Sequence, residues 1–145
     1  MEKIFKKVHT FRDYILSCAF IVIGIGLFFI SKIFGICLIV CGILFLIFYK
    51  SGYQAHGSSI ILTYKKMEIS RKSQQSVLNF LQGATNKLEL VSGNEGGSLL
   101  LEVWFNVSEK IGYAQLSVYE NLSFSNITEI VELKKENVLT LIEKI

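Results

Sequence analysis

The chain has 145 residues, 51% of them apolar, and its 15 Lys and Arg against 12 Asp and Glu leave a formal charge of +3. Of its 74 apolar residues, 29 fall in the 36 positions 14–49, and the other 109 positions hold 45, near the usual globular share. This excludes disorder as the main description, and it excludes a disulfide-stapled miniprotein, because Cys18, Cys37 and Cys41 all lie in the apolar stretch.

Residues 1–13 read as a basic N-terminus, with Lys3, Lys6, Lys7 and Arg12 against Glu2 and Asp13. Positions 14–49 contain one charged residue, Lys32, which divides them into runs of 18 (14–31) and 17 (33–49) residues. At about 1.5 Å per residue each run reaches about 25 Å as a helix, near the lower limit for spanning a bilayer. Both runs are apolar on every side, unlike the striped helices of a soluble core. The prediction is a transmembrane hairpin of two helices over 14–49.

Basic residues flank both outer ends, so the positive-inside rule places both termini in the cytoplasm and the turn outside. The expected location is the plasma membrane, the inner membrane if the source is bacterial. The expected membrane-interface residues are Lys3, Lys6, Lys7, Arg12, Tyr14, Tyr49, Lys50, Lys65 and Lys66, with Lys32 snorkelling to the far side. Gly24, Gly26, Gly35 and Gly42 are the expected helix-packing points, and the same helices offer a route to oligomers. Neither run contains Asp, Glu, Arg or His. Proton and ion pathways normally need such groups, so the hairpin reads as an anchor.

A polar Gly/Ser-rich linker (50–58) leads to a domain over 59–145. Residues 59–69 alternate as a strand. Ser70 or Ser73 then caps a helix running to Gln82, stopped by Gly83. A short strand is expected at 87–92 and a turn at 92–97. Residues 98–107 form the clearest strand, with Leu99, Leu101, Val103, Phe105 and Val107 on one face. A second alternating strand follows at 113–122. Asn126 with Glu129 resembles a helix-start box, opening a helical stripe from Ile127 to Ile145 that Lys134 and Lys135 interrupt. The order is β-α-β-β-β-α, a small α+β domain with an antiparallel sheet.

Signals for chemistry are weak. Residues 50–145 have one histidine, His56 in the linker, and no Cys or Asp. A zinc site needs three or four suitable ligands and a Ser-His-Asp triad needs its Asp. The glycines of 93–97 have no Lys-Ser/Thr behind them, so they form no phosphate loop. The expectation is a non-enzymatic protein without a cofactor or metal. Residues 50–87 carry a net +5 and residues 88–145 a net −5. The basic half leaves the membrane and suits anionic headgroups, worth about 1 kcal/mol per Lys or Arg; nucleic acid is not expected. Leu100, Trp104, Tyr113 and Tyr119 form the expected partner-binding row, provided that helices cover only one face of the sheet.

The functional expectation is therefore a two-pass, membrane-anchored module that binds another protein, in its most concrete form a bacterial toxin-immunity or inhibitor protein. The rival classes are an accessory subunit of a membrane or secretion complex and a lipid- or ligand-sensing membrane module.

Overall fold

The structure, a computed structural model, describes residues 5–91, 98–120 and 122–144. The described chain divides into two compact units, Lys6–Gln54 and the remainder, which includes Phe5.

The first unit holds all but Phe5 of strand β1 (Phe5–Val8), which leads into helix α1 (Phe11–Phe28), and helix α2 (Lys32–Phe48) followed by all but Ala55 of strand β2 (Gly52–Ala55). The two helices are joined at 29–31, where the N–H groups of Ile30 and Ser31 both donate to the Leu27 carbonyl at 3.0 and 2.8 Å. So short a connection makes the helices antiparallel neighbours. They approach backbone to backbone. A Cβ on Gly24 would stand 2.9 Å from the Ile39 nitrogen, one on Gly35 2.5 Å from the Phe28 Cα, and one on Gly42 3.1 Å from the Ser17 carbonyl. Only glycine fits at such separations. Ser17 is buried in the seam and donates its hydroxyl to the Asp13 carbonyl at 2.9 Å.

Three expectations from the sequence change here. Gly26 faces open space, with nothing within 4 Å of its would-be Cβ. It follows Gly24 by two residues, about 200° around the helix, and so cannot share its seam. The basic N-terminus and the linker are not featureless, since β1 and β2 are hydrogen-bonded neighbours and the Lys7 Nζ lies 5.8 Å from the Tyr53 ring centroid. The helices also start and stop differently. α1 begins at Phe11, before the apolar run, and α2 ends at Phe48, leaving Tyr49 extended (φ −86°, ψ 121°).

The second unit is a small α+β domain. Strand β3 (Ile61–Ser70) passes through a single 3-10 turn (Arg71–Ser73) into helix α3 (Gln74–Leu81). Strands β4 (Ser98–Asn106) and β5 (Ile111–Glu120) form a long hairpin. Two short strands, β6 (Ser123–Asn126) and β7 (Val131–Glu132), precede helix α4 (Lys135–Lys144). All pairings are antiparallel: β3 with β4, β4 with β5, and both β6 and β7 along the other edge of β5.

The registers Met67↔Leu101↔Leu116 and Ile69↔Leu99↔Val118 put one set of alternating residues on a single sheet face. Val77, Phe80 and Leu81 of α3 and Val138 and Leu141 of α4 join that set in one core. Both helices therefore cover the same face. Their contact is direct: the Asn137 side-chain amide donates to the Phe80 carbonyl at 3.4 Å. Helix α3 ends as its sequence predicts. Gly83 has φ +72°, its N–H donates to the Phe80 carbonyl, and the Ala84 N–H donates to the Asn79 carbonyl. This bond pair is the Schellman stop that a left-handed glycine permits.

The expected strand at 87–92 is not one within its described part, 87–91. Its backbone is held by serines instead. The Val91 N–H donates to Ser73 Oγ at 2.8 Å, the Glu89 N–H donates to Ser76 Oγ at 3.2 Å, and the Ser70 N–H donates to the Val91 carbonyl at 2.9 Å. The expected turn at 92–97 lies outside the described residues. The helix expected from Asn126 begins instead at Lys135. Asn126 stands on β6 and accepts the Ser117 hydroxyl at 2.9 Å, while Thr128 Oγ1 accepts the Leu116 N–H at 3.0 Å. The side chains that resemble a helix cap are thus committed to the sheet edge, which short polar side chains serve equally well.

Candidate functional site

Two surfaces stand out, one in each unit. The first is the outside of the helix pair. Phe29, Ile30, Ile33 and Phe34 at its turn and Val22, Ile25, Ile36, Ile43 and Ile47 along its length are all exposed. Its seam holds Gly24, Gly35, Gly42 and Ser17. This inverts the arrangement of a soluble domain, and so large an apolar surface marks an interaction with a membrane or another apolar body. By length and composition α1 is able to cross a membrane. α2 is equally apolar but shorter, at 17 residues, because Ser31 and Tyr49 fall outside it.

The polar end of this pair is tied together by Asp13. Its carboxylate accepts the N–H of Thr10 at 2.8 Å, the N–H of Ser51 at 3.0 Å and the hydroxyl of Ser51 at 2.7 Å. The first bond caps α1; the other two hold the chain leaving α2 against the start of α1. A buried carboxylate needs such donors, and here they join residues 38 positions apart. Tyr14 and Tyr49 both sit at this end and are about half exposed, Tyr14 beside His9 and Tyr49 stacked on Phe45. Lys6, Lys7, Arg12 and Lys50 are exposed. Lys3 lies outside the described residues.

The second surface is the sheet face that α3 and α4 leave uncovered. The registers line up Tyr64, Lys66 and Glu68 of β3 with Trp104, Glu102 and Leu100 of β4, and these with Tyr113, Gln115 and Ser117 of β5. The row expected to bind a partner is divided. Trp104 and Tyr113 are buried, 7% and 9% exposed. Phe5 stacks on Trp104 with ring centroids 4.6 Å apart and tilts against Tyr113 at 5.6 Å. Leu100 is half-buried, and Tyr119 is 41% exposed against Phe124 of β6 at 5.0 Å. The Tyr64 hydroxyl donates to the Glu102 carboxylate between these two ends. Exposed Lys66, Glu68, Tyr119 and Phe124, with half-buried Leu100 and Gln115, make up the accessible part. A depression of about 360 Å³ with a mixed polar and apolar lining adjoins it, formed by Gln115, Asn126, Ile127, Thr128, Glu129 and Ile130.

Sequence patterning misses Phe5 and Phe124 for a simple reason. Phe5 is the start of a four-residue strand, and Phe124 lies in a segment whose residues are all exposed, so neither has an alternating run to announce it. Within the α+β unit the basic residues of β3 do not share one face. Lys65 pairs in register with Val103 on the helix-covered face and Lys66 with Glu102 on the other. Arg71 lies 3.5 Å from Glu120. Among the described residues no group of three or more His, Cys, Asp or Glu is placed to hold a metal ion. Comparison with protein-family models, with curated proteins and with solved structures finds no match.

Proposed function

We propose that the chain is a two-pass membrane protein, both termini cytoplasmic, whose α+β domain binds another protein through its uncovered sheet face. The observation that carries this reading is the inverted burial of the helix pair, with apolar side chains outside and glycines and Ser17 inside. A bilayer is the solvent in which that arrangement is stable. The second helix supports the reading although it is short. At about 1.5 Å per residue its 17 residues reach about 25 Å, and Lys32 at one end and Tyr49 at the other are residues that bridge such a mismatch at interfaces.

The proposed docking residues are Leu100, Tyr119, Phe124 and Gln115, flanked by Lys66 and Glu68. A half-apolar patch of this kind, with aromatics on β5 and β6 and opposite charges on β3, has the make-up of a protein interface. The version with the most direct biological test is a bacterial immunity or inhibitor protein, held at the membrane where its toxin acts. Deleting the gene is then lethal only in cells that also carry the toxin. A Leu100→Ala, Tyr119→Ala, Phe124→Ala variant reaches wild-type abundance in the membrane and fails to protect. Growth of the deletion strain beside an active toxin rejects the immunity version. Full protection by the triple variant rejects the docking face.

A further inference from the structure

We propose that a groove at the polar end of the helix pair binds one anionic glycerophospholipid. The inference rests on the bilayer reading above and adds a specific ligand to it. The groove has a volume of about 200 Å³ and is lined by Arg12, Asp13, Leu16, Phe45, Tyr49 and Ser51, all within one compact unit.

Its chemistry changes along its length. Leu16 and Phe20 lie one helical turn apart on α1, and Tyr49, the extended residue that follows α2, lies four residues beyond Phe45. Tyr49 stacks on Phe45 with centroids 4.2 Å apart, and Phe45 faces Phe20 at 6.2 Å, which continues an aromatic wall from the polar end into the apolar zone. An acyl chain fits such a wall. At the polar end Arg12 is exposed and makes no ion pair or hydrogen bond through its guanidinium among the described residues. The neighbouring carboxylate keeps its charge but makes no hydrogen bond to it. Asp13 directs its oxygens to the Thr10 N–H and to the N–H and hydroxyl of Ser51. Arg12 is thus a solvent-facing cation at the mouth with its donors open to a ligand, and Lys50 is next in the chain to Tyr49 and Ser51. A guanidinium offers five donors in a fork that matches phosphate oxygens. On the proposed topology this mouth opens to the cytoplasmic leaflet, where anionic lipids concentrate. The joining of a phosphate-seeking head to an apolar groove favours a lipid over a soluble phosphate.

The test uses the full chain reconstituted in vesicles of equal phosphatidylglycerol and phosphatidylcholine, gently extracted, with the retained lipid counted by native mass spectrometry. The expected result is one retained phosphatidylglycerol per chain in preference to phosphatidylcholine. Arg12→Gln lowers that preference about five-fold, the weight of one basic residue at a surface, and Arg12→Lys keeps most of it. Leu16→Trp fills the groove and lowers retention of both lipids. A tenfold excess of free glycerol phosphate leaves the count unchanged. An unchanged lipid ratio in Arg12→Gln, or displacement by glycerol phosphate, overturns the site. Alkaline carbonate extraction of the same membranes separates the two failures. If the chain stays in the pellet, the anchor stands without the site; if it is released, both fall.

Discussion

The two units of this protein bury opposite things. In the α+β unit Phe80, Leu99, Leu101 and Leu116 are sealed from solvent, and exposed Lys, Glu and Ser populate the outside. In the helix pair Asp13, Ser17 and three glycines are inside, while Phe29 and Ile30 are each 84% exposed. On the proposed reading each arrangement suits a different solvent. In water the first gains about 25 cal/mol per Å² of apolar surface removed. The second gains nothing from water, and its helices meet through close backbone packing. The same alphabet of Ile, Leu, Val and Phe serves both, so the sign of burial rather than composition separates the two units.

The contrast can be broken by substitution, most strongly in the soluble core. Phe80→Ala removes the largest of the fully buried side chains and is expected to cost about 3–5 kcal/mol in the α+β unit. Its thermal or denaturant midpoint should fall while the chain remains membrane-bound. Ile25→Lys makes the opposite case. Ile25 is exposed, so in water the change is close to neutral. In a bilayer the residue lies one turn from the far end of α1, where a lysine can snorkel, so the change costs less than the figure for a bilayer centre, about 2.5–3.5 kcal/mol, and the fraction inserted should drop accordingly. Equal insertion of both chains would remove the contrast.

A smaller effect distinguishes two glycines of one helix pair. Gly35→Ala puts a Cβ 2.5 Å from the Phe28 Cα and should weaken helix association by about 1–3 kcal/mol, as overpacking does. Gly26→Ala meets open space and should leave it unchanged or gain about 0.5–1 kcal/mol of helix stability. Cross-linking between α1 and α2 in detergent reads both. A comparably small change is expected at the β5–β6 turn, where Leu122 holds φ +64° while 90% exposed. Leu122→Gly relieves a left-handed backbone that disfavours a side chain and should raise the midpoint by about 1 kcal/mol equivalent. A fall would mean that the leucine makes a contact the structure does not show.

What was legible in the sequence follows from how each element is stabilised. Strands β4 and β5 alternate over nine and ten residues because one face meets α3 and α4 throughout, and Gly83 announces the end of α3. The segment 87–91 and the edge strands β6 and β7 were not legible, because side chains of Ser73, Ser76, Ser117, Asn126 and Thr128 hold them. A hydroxyl that caps a helix and one that receives a loop N–H look alike in sequence. Strands β1 and β2 have four residues each, too few for a period to emerge. The candidate sites divide in the same way. Gly24, Gly35 and Gly42 share a seam that Gly26 misses by helical geometry. Trp104 and Tyr113 are withdrawn from the partner face by Phe5, a contact across about a hundred residues of chain that no local pattern encodes.

The most direct test of the inverted burial uses the protein's own thiols. Cys18, Cys37 and Cys41 are all free and lie on the exposed surface of the helix pair. In water each is open to a polar, membrane-impermeant maleimide. In a bilayer the apolar solvent suppresses both the thiolate and the approach of the reagent. The protein in sealed native membranes is treated with the reagent, then treated again after dissolution in SDS, and modified cysteines are counted by mass spectrometry. The expected result is no modification at the three positions before SDS and complete modification after it. Modification of Cys37 and Cys41 before SDS, at the rate of a cysteine in solution, would show that the apolar face is bathed in water and would contradict the anchor.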